Sequence, residues 1–168
     1  QFYGRSFFSE QLKRRGIDLK GGFEADIIHS IRIGTILARD SELVSMDVCL
    51  PDLRTMLQNS KIGEIYVIRD SGALYGTIML ADMSEAAFDK AYDDLLRAGD
   101  VARTGPQVLC EDDDLEAALS QLAETGEDRV AGVDDTDTMI FKGYVTHAGV
   151  MAAYNKALLE SRHEEHGH

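Results

Sequence analysis

Two acidic runs, residues 111–114 and 134–137, have the residue types that could bind a divalent cation. The segment from Asp135 begins like an EF-hand calcium loop. However, Ile140 stands at the sixth position, where such a loop needs glycine, and Thr146 stands at the twelfth, where it needs glutamate. These mismatches favour an acidic turn between strands over a calcium site.

No grouping of side chains in the sequence predicts catalysis. The chain has no nucleophile elbow, no glycine-rich phosphate loop and no set of metal ligands at a recognised spacing. His163 and His166 are three residues apart, whereas the zinc-protease motif needs four. His29 and His147 are isolated in the sequence. We interpret His147 as a capping or surface residue, with a ligand contact as the alternative. We therefore predict a protein that is not an enzyme, with no catalytic residue and no metal site.

The two cysteines, Cys49 and Cys110, precede the leucine-rich segments described below by nearly the same number of residues. We interpret them as equivalent buried thiols in a reduced protein. A disulfide or a metal site is the alternative.

The charge of the chain argues against a nucleic-acid partner. Thirty acidic and 17 basic residues give a formal net charge of −13, whereas nucleic-acid binding needs a basic footprint. No apolar run approaches the roughly 18–20 residues that a membrane span requires. Because the chain begins with Gln1, we expect a fragment of a longer protein.

A repeated pattern of strand, turn and strand would position these residues. In the first copy, an apolar strand is expected at residues 65–69 and a second strand at residues 74–80, joined by a turn at Gly72. In the second copy, the strands are expected at residues 129–133 and 139–146. Because the order recurs about sixty residues later, the sequence predicts a tandem repeat.

Each copy also predicts a helix on either side of its strand pair. Leucines at helical spacing, beginning at Leu53 and Leu115, mark the preceding helices. An amphipathic run predicts a long helix over residues 82–96, ended by Gly99. The equivalent helix of the second copy is expected to begin near His147.

Shorter elements are expected between the repeats and before them. Residues 44–50 and 108–110 are predicted as strands. Asp112 or Asp113 is expected to cap the second leucine-rich helix. Residues 25–30 are predicted to form a helical turn.

The two copies together resemble a tandem pair of CBS domains. The residues that carry the resemblance are IYVIRDSGALYGTIMLADM, residues 65–83, and RVAGVDDTDTMIFKGYVTHAGVM, residues 129–151. The resemblance covers residues 30–160. It implies an α/β (α+β) fold in which two β-α-β-β-α repeats pack through their sheets with pseudo-twofold symmetry. The implied domains are a linker from a membrane domain (1–29), CBS repeat 1 (30–98), CBS repeat 2 (99–160) and a polar tail (161–168).

The first residues of the chain resemble a second family. Phe7 and Phe8 precede a basic run, as is typical where a chain leaves a bilayer on its cytoplasmic side. An aromatic docking segment on the domain itself is the alternative. The stretch SFFSEQLKRRGIDLKGG, residues 6–22, is similar to the segment that follows the last membrane helix in ClC-type chloride channels and transporters.

This second resemblance implies the regulatory region of a voltage-gated chloride channel or transporter, on the cytoplasmic face of the cell membrane. Its partners would be the transmembrane domain of the same chain and a second copy in a homodimer. Its role would be dimerisation and modulation of gating. The alternative is a nucleotide-sensing CBS module of another transporter or of a metabolic enzyme.

The CBS resemblance also implies a site for AMP, ADP or ATP, with no cofactor required. In the family pattern, an aspartate binds the ribose hydroxyls, and a hydroxyl residue three positions earlier holds phosphate with the helix N-terminus. The first copy keeps Asp82 but has Met79 in the hydroxyl position, and the second keeps Thr146 but has Gly149 for the aspartate. Asp82 as a plain helix N-cap is the alternative. The nucleotide-binding residues that the resemblance implies are Ile36, Ile65, Met79, Asp82 and Thr146.

Overall fold

The described helices and strands follow the predicted order in the second copy and, in the first copy, as far as the end of its second strand. The structure, a computed structural model, describes residues 21–83 and 89–166. Its α-helices are α1 Gly21–Ser30, α2 Leu50–Asn59, α3 Ala98–Val101, α4 Leu115–Thr125 and α5 His147–His166. Its strands are β1 Glu42–Ser45, β2 Glu64–Ile68, β3 Leu74–Met79, β4 Arg103–Thr104, β5 Val108–Cys110, β6 Arg129–Val133 and β7 Phe141–Thr146. Short 3-10 helices are Ile33–Thr35, Leu80–Met83 and Lys90–Tyr92. The strands form two sheets, with orders β1-β2-β3-β4 and β5-β6-β7.

The described residues divide into two compact units. Unit 1 contains residues 21–37, Gln107–Gly132 and residues 144–166. In α4, apolar side chains recur every three or four residues, so that one face of the helix is buried. Helix α1 adds Ile27 and Ile28 to the same core, and α5 adds Val150 and Tyr154.

Unit 2 contains Ala38–Pro106 and Val133–Gly143. Strand β1 pairs with β2 in parallel, with α2 as the crossover, and β3 and β4 add antiparallel pairs. Leu53 and Leu57 of α2 are buried against Ile65 and Ile78 of the sheet. Full burial of such a side chain contributes roughly 1.5–3 kcal/mol relative to exposure.

The strand pair of the first copy forms the hairpin that its sequence predicts. Gly72 has φ of +88°, a conformation that glycine adopts without strain. Leu74 N donates to Met139 O at 2.8 Å, and Phe141 N donates to Gly72 O at 3.1 Å. The hairpin turn is therefore held by residues 133–143, which belong to the same unit.

The long helix expected over residues 82–96 is wrong for the described part of that segment. Only the short 3-10 helices lie within it, and Leu95 is 71% exposed. Arg54 of α2 donates to the Asp93 carboxylate and lowers the pKa of that group. After this segment, Ala98 N donates to Val48 O and Gly99 N donates to Met46 O. These bonds hold the start of α3 against the residues that follow β1. Gly99 consequently lies inside α3 rather than ending a long helix.

The predicted cap of α4 is displaced by one residue. Asp114 is the N-cap, and its carboxylate accepts a hydrogen bond from Ala117 N at 2.9 Å. The Asp113 carboxylate instead accepts from Cys110 N at 2.8 Å, within the turn that precedes the helix. The strand expected over residues 44–50 is shorter and begins earlier, since β1 spans Glu42–Ser45.

Residues 1–20, which hold most of the predicted linker and of the aromatic and basic segment, lie outside the described residues.

Candidate functional site

Asp82 is the third residue of the 3-10 helix Leu80–Met83, which directly follows β3. Its Oδ2 accepts a hydrogen bond from Met79 N at 3.0 Å. This is one of the two hydrogen bonds of a capping box, the one in which the side chain of the third helical residue accepts from the backbone N–H of the N-cap residue. Asp82 is therefore not a simple N-cap, because it bonds backward along the chain. Its side chain is 12% exposed, so its charge needs a partner.

That partner is Arg103 of β4. Asp82 Oδ1 accepts from Arg103 Nε at 2.7 Å and lies 2.6 Å from Arg103 Nη2. The two oxygens of the carboxylate are thus divided between the backbone of Met79 and one guanidinium group. The arginine was not among the residues that sequence reasoning selected. It follows α3 on a two-residue strand, too short to give a periodic signal.

Gly76 explains why β4 can approach β3 closely at this point. Strands β3 and β4 pair through Gly76 with Thr104 and Thr77 with Arg103. A Cβ at position 76 would lie 2.4 Å from Arg103 O, closer than real contacts allow. Gly76 therefore has a structural function, since the absence of a side chain lets the backbone of Arg103 lie beside the strand that leads to Asp82.

The equivalent junction of the second copy lies in unit 1. Thr146 ends β7, and its Oγ1 accepts from Gly149 N at 3.0 Å in the first turn of α5. This bond is the forward half of a capping box. Each copy thus has one of the two hydrogen bonds of a capping box. In the first copy Asp82 accepts from Met79 N, and in the second copy Thr146 accepts from Gly149 N. The split pattern in the sequence corresponds to a split pattern of hydrogen bonds.

The remaining predicted residues lie at different depths. Ile65 is fully buried in β2, between β1 and β3, so its side chain belongs to the core of unit 2. Ile36 is half-buried in unit 1, where it follows the 3-10 helix Ile33–Thr35 and packs against the core. Within unit 2 the structure brings Met79 and Asp82 into contact, whereas Ile36 and Thr146 belong to unit 1. The assignment of these residues to nucleotide binding stays a prediction.

The acidic residues 134–137 form a turn between strands, as expected. Asp134 accepts from Asp135 N and from Ile140 N at 2.7 and 2.8 Å. The Thr138 hydroxyl donates to the same carboxylate and is the main cause of its lowered pKa. Asp135 accepts from Asp137 N at 2.9 Å. These carboxylates are therefore engaged by their own turn, which agrees with the mismatches to a calcium loop.

His29 is not isolated, contrary to the sequence interpretation. Its Nδ1 lies 2.9 Å from Asp114 Oδ2, and its Nε2 lies 3.3 Å from Glu116 Oε2. Among the described residues, this is the one group of three side chains that is able to hold a metal ion. Both ring nitrogens of His29 face carboxylates, so the side chain joins α1 to the start of α4. His29 and Asp114 are 85 positions apart in the sequence, so no local pattern predicts their contact.

Both cysteines are free. The sequence predicted buried thiols, but each cysteine is only partly buried. Cys49 is the N-cap residue of α2, and its thiol donates to Asp52 Oδ2 at 3.2 Å. Cys110 ends β5. Their matching sequence positions thus correspond to the start of a helix and the end of a strand.

Comparisons with known proteins show the fold of the chain. No family model matches the sequence, and no curated protein matches it. Many solved structures match its fold. CBSX2 in complex with AMP, a CBS-pair protein of Arabidopsis thaliana, has a TM-score of 0.63 and 22% identity, over 76% of this chain and 98% of that chain.

Two further structures come from membrane proteins. The CBS domain of a CBS domain-containing membrane protein from Sphaerobacter thermophilus has a TM-score of 0.58 and 21% identity, over 86% of this chain and 96% of that chain. The cytosolic domain of the Mg²⁺ channel MgtE in complex with ATP has a TM-score of 0.60 and 19% identity. That match covers 72% of this chain and 48% of the MgtE chain. The chain therefore has the mixed α/β fold of tandem CBS-domain pairs, which confirms the expected fold class.

Proposed function

We propose that this chain is a non-catalytic regulatory CBS pair that binds AMP, ADP or ATP through Asp82. The observation that carries the proposal is the placement of Asp82, whose carboxylate is largely buried in the 3-10 helix that follows β3. It lies in a fold whose solved examples include complexes with AMP and with ATP. A carboxylate is able to accept hydrogen bonds from the two hydroxyls of a ribose.

The other residues take the roles that the CBS resemblance implies. In the first copy Met79 takes the position of the phosphate-binding hydroxyl residue, and in the second copy Thr146 does. The backbone of the lead-in segment at Ile36 and of the first strand at Ile65 takes the role of recognising a base. Residues 30–98 and 99–160 form the two CBS repeats, and residues 161–168 form a polar tail. Ile65 can take part only through its backbone, because its side chain is buried.

The proposed host is a ClC-type chloride channel or transporter, in which residues 1–29 connect the pair to a membrane domain. The support is the resemblance of residues 6–22 to the segment after the last membrane helix of that family. Among the described residues, none of the helices has the length and apolar character of a membrane span. In this proposal the pair lies on the cytoplasmic face of the membrane. It forms a homodimer there and modulates gating.

A nucleotide-sensing module of another transporter or of a metabolic enzyme is the second candidate. The likeness to the cytosolic domain of a Mg²⁺ channel favours another transporter. Residues 6–22 discriminate between the hosts, since a sensor in a soluble enzyme has no need of a segment that follows a membrane helix.

Nucleotide binding is expected to raise the melting temperature of the chain. A ligand present at 100 times its dissociation constant stabilises the folded state by about 2.7 kcal/mol, which corresponds to roughly 5–10 °C for a chain of this size. We expect a rise of this order with millimolar AMP, ADP or ATP, measured by calorimetry with and without magnesium. Asp82→Ala should abolish the rise.

Asp100→Ala is the matched control for this experiment. Asp100 Oδ2 accepts from Arg97 N at 2.9 Å, the same bond to the third preceding residue that Asp82 makes. A nucleotide-dependent rise that survives in Asp100→Ala and is lost in Asp82→Ala supports a ribose ligand. The absence of any rise with the wild-type chain would refute nucleotide binding.

Deletion of the pair from its full-length parent tests the host. We expect the open probability or the amount of protein at the cell surface to change. Anion selectivity, measured by reversal potentials, should stay as in the wild type, because the ion pathway lies in the membrane domain. Loss of anion selectivity after deletion, or a parent without anion transport, would contradict a regulatory role in a chloride channel or transporter.

A further inference from the structure

The contact between Arg103 and Asp82 has consequences for any ligand of this carboxylate. Both Arg103 Nε and Nη2 lie within 2.7 Å of Asp82 Oδ1, and Oδ2 is engaged by Met79 N. Charge-assisted hydrogen bonds of this kind are stronger than those between neutral groups. Ribose hydroxyls would therefore have to compete for oxygens that already have donors.

The position of Arg103 is set by the sheet. Its backbone pairs with Thr77 of β3, and the absence of a side chain at Gly76 lets its carbonyl lie against that strand. The arginine side chain is 56% exposed, whereas that of Asp82 is 12% exposed. The backbone anchors the arginine, and the exposed end of the side chain has room to leave the carboxylate.

We propose that Arg103 is an internal competitor that closes the Asp82 site when no nucleotide is bound. This inference rests on the proposed function, because it concerns the regulation of the same carboxylate. The ribose hydroxyls can bind the Asp82 carboxylate only after the Arg103 guanidinium has moved away from it. The ion pair therefore lowers the affinity of the site for nucleotide. The loss of binding free energy equals the free energy of the Arg103–Asp82 ion pair, because the nucleotide binds only the state in which this pair is broken.

The effect can be isolated with adenosine, which contains the ribose but has no phosphate to interact with an arginine. A partly exposed ion pair is worth about 0.2–1 kcal/mol, which corresponds to roughly a 1.4–5-fold change in a dissociation constant. We therefore expect Arg103→Gln to bind adenosine up to about fivefold more tightly than the wild type in isothermal titration calorimetry. Arg54→Gln, which removes the arginine of the separate pair with Asp93, should leave adenosine binding unchanged.

Salt gives a second measurement that a merely structural arginine would not affect. Added salt screens an exposed ion pair, and the Debye length falls about threefold between about 0.05 and 0.5 M NaCl. Adenosine binding to the wild type should therefore tighten over this range. The affinity of Arg103→Gln should change little over the same range. Far-UV circular dichroism and the melting temperature establish that each variant is folded.

The possible results distinguish two proposals: competition by Arg103, and nucleotide binding through Asp82. Tighter adenosine binding in Arg103→Gln, lost again in Arg103→Gln/Asp82→Ala, supports the proposal. Unchanged or weaker adenosine binding in a folded Arg103→Gln, while AMP still binds the wild type through Asp82, overturns the competitor and leaves the proposed function intact. If neither adenosine nor AMP binds to any variant, both proposals fail.

Discussion

Replacing Leu53 with alanine is expected to lower the free energy of unfolding by about 2–5 kcal/mol, the usual cost of such a cavity in a packed core. Leu53 is fully buried on α2, where it packs with Leu57 against the sheet of unit 2. Leu115 is its counterpart in the repeat and is equally buried in unit 1. Because both leucines hold equivalent helices, Leu115→Ala is expected to have a similar effect.

Urea unfolding followed by circular dichroism measures these changes, and Leu95→Ala provides the control. Leu95 is 71% exposed, so its truncation should change stability by no more than about 0.5 kcal/mol. If Leu53→Ala were as mild as this control, α2 would not be packed on the sheet as described. If Leu95→Ala were as severe as Leu53→Ala, the segment after residue 88 would belong to the core.

Replacing Gly76 with alanine is expected to detach β4 from β3. The new Cβ would lie 2.4 Å from Arg103 O, a backbone atom that cannot move away by rotation of a side chain. Overpacking of this kind costs about 1–3 kcal/mol. As β4 moves, the bond between Arg103 and Asp82 should weaken with it, so this change is also expected to tighten the binding of adenosine.

Hydrogen exchange followed by mass spectrometry reports the detachment directly. We expect faster exchange in peptides that contain Arg103 and Thr104. Gly105→Ala is the control, because Gly105 has φ of +63° and a Cβ at this position would meet no atom within 4 Å. It should cost only the backbone strain of about 1–2 kcal/mol. Unchanged exchange at β4 in Gly76→Ala would contradict the close approach of the two strands.

The elements that the sequence predicted well are those with local signals. The strand at residues 129–133 and the helix start at His147 are found as expected, because β-branched runs and turn residues determine them over a few positions. The helix expected over residues 82–96 is wrong in its described part because the apolar spacing alone does not account for tertiary contacts. Arg54 binds Asp93 within that segment, and Ala98 and Gly99, which follow it, donate to Val48 O and Met46 O.

The candidate site shows the same division. The junctions at Asp82 and Thr146 follow from a strand that ends beside a polar residue, a pattern visible in the sequence. Arg103 and His29 could not be assigned, because each meets its partners only after the chain has folded. Their contacts with Asp82 and Asp114 join residues 21 and 85 positions apart, and such separations leave no periodic signal in a single sequence.

Titration of the ¹⁵N-labelled chain with AMP, followed by two-dimensional NMR, tests the central claim most directly. The amide of Met79, the amide of Asp82 and the Nε–H of Arg103 all report on the same carboxylate. We predict that these three signals shift together and saturate with one affinity, and that Asp82→Ala removes the response. Saturating AMP that leaves all three signals unchanged would contradict the assignment of Asp82 as the ribose ligand.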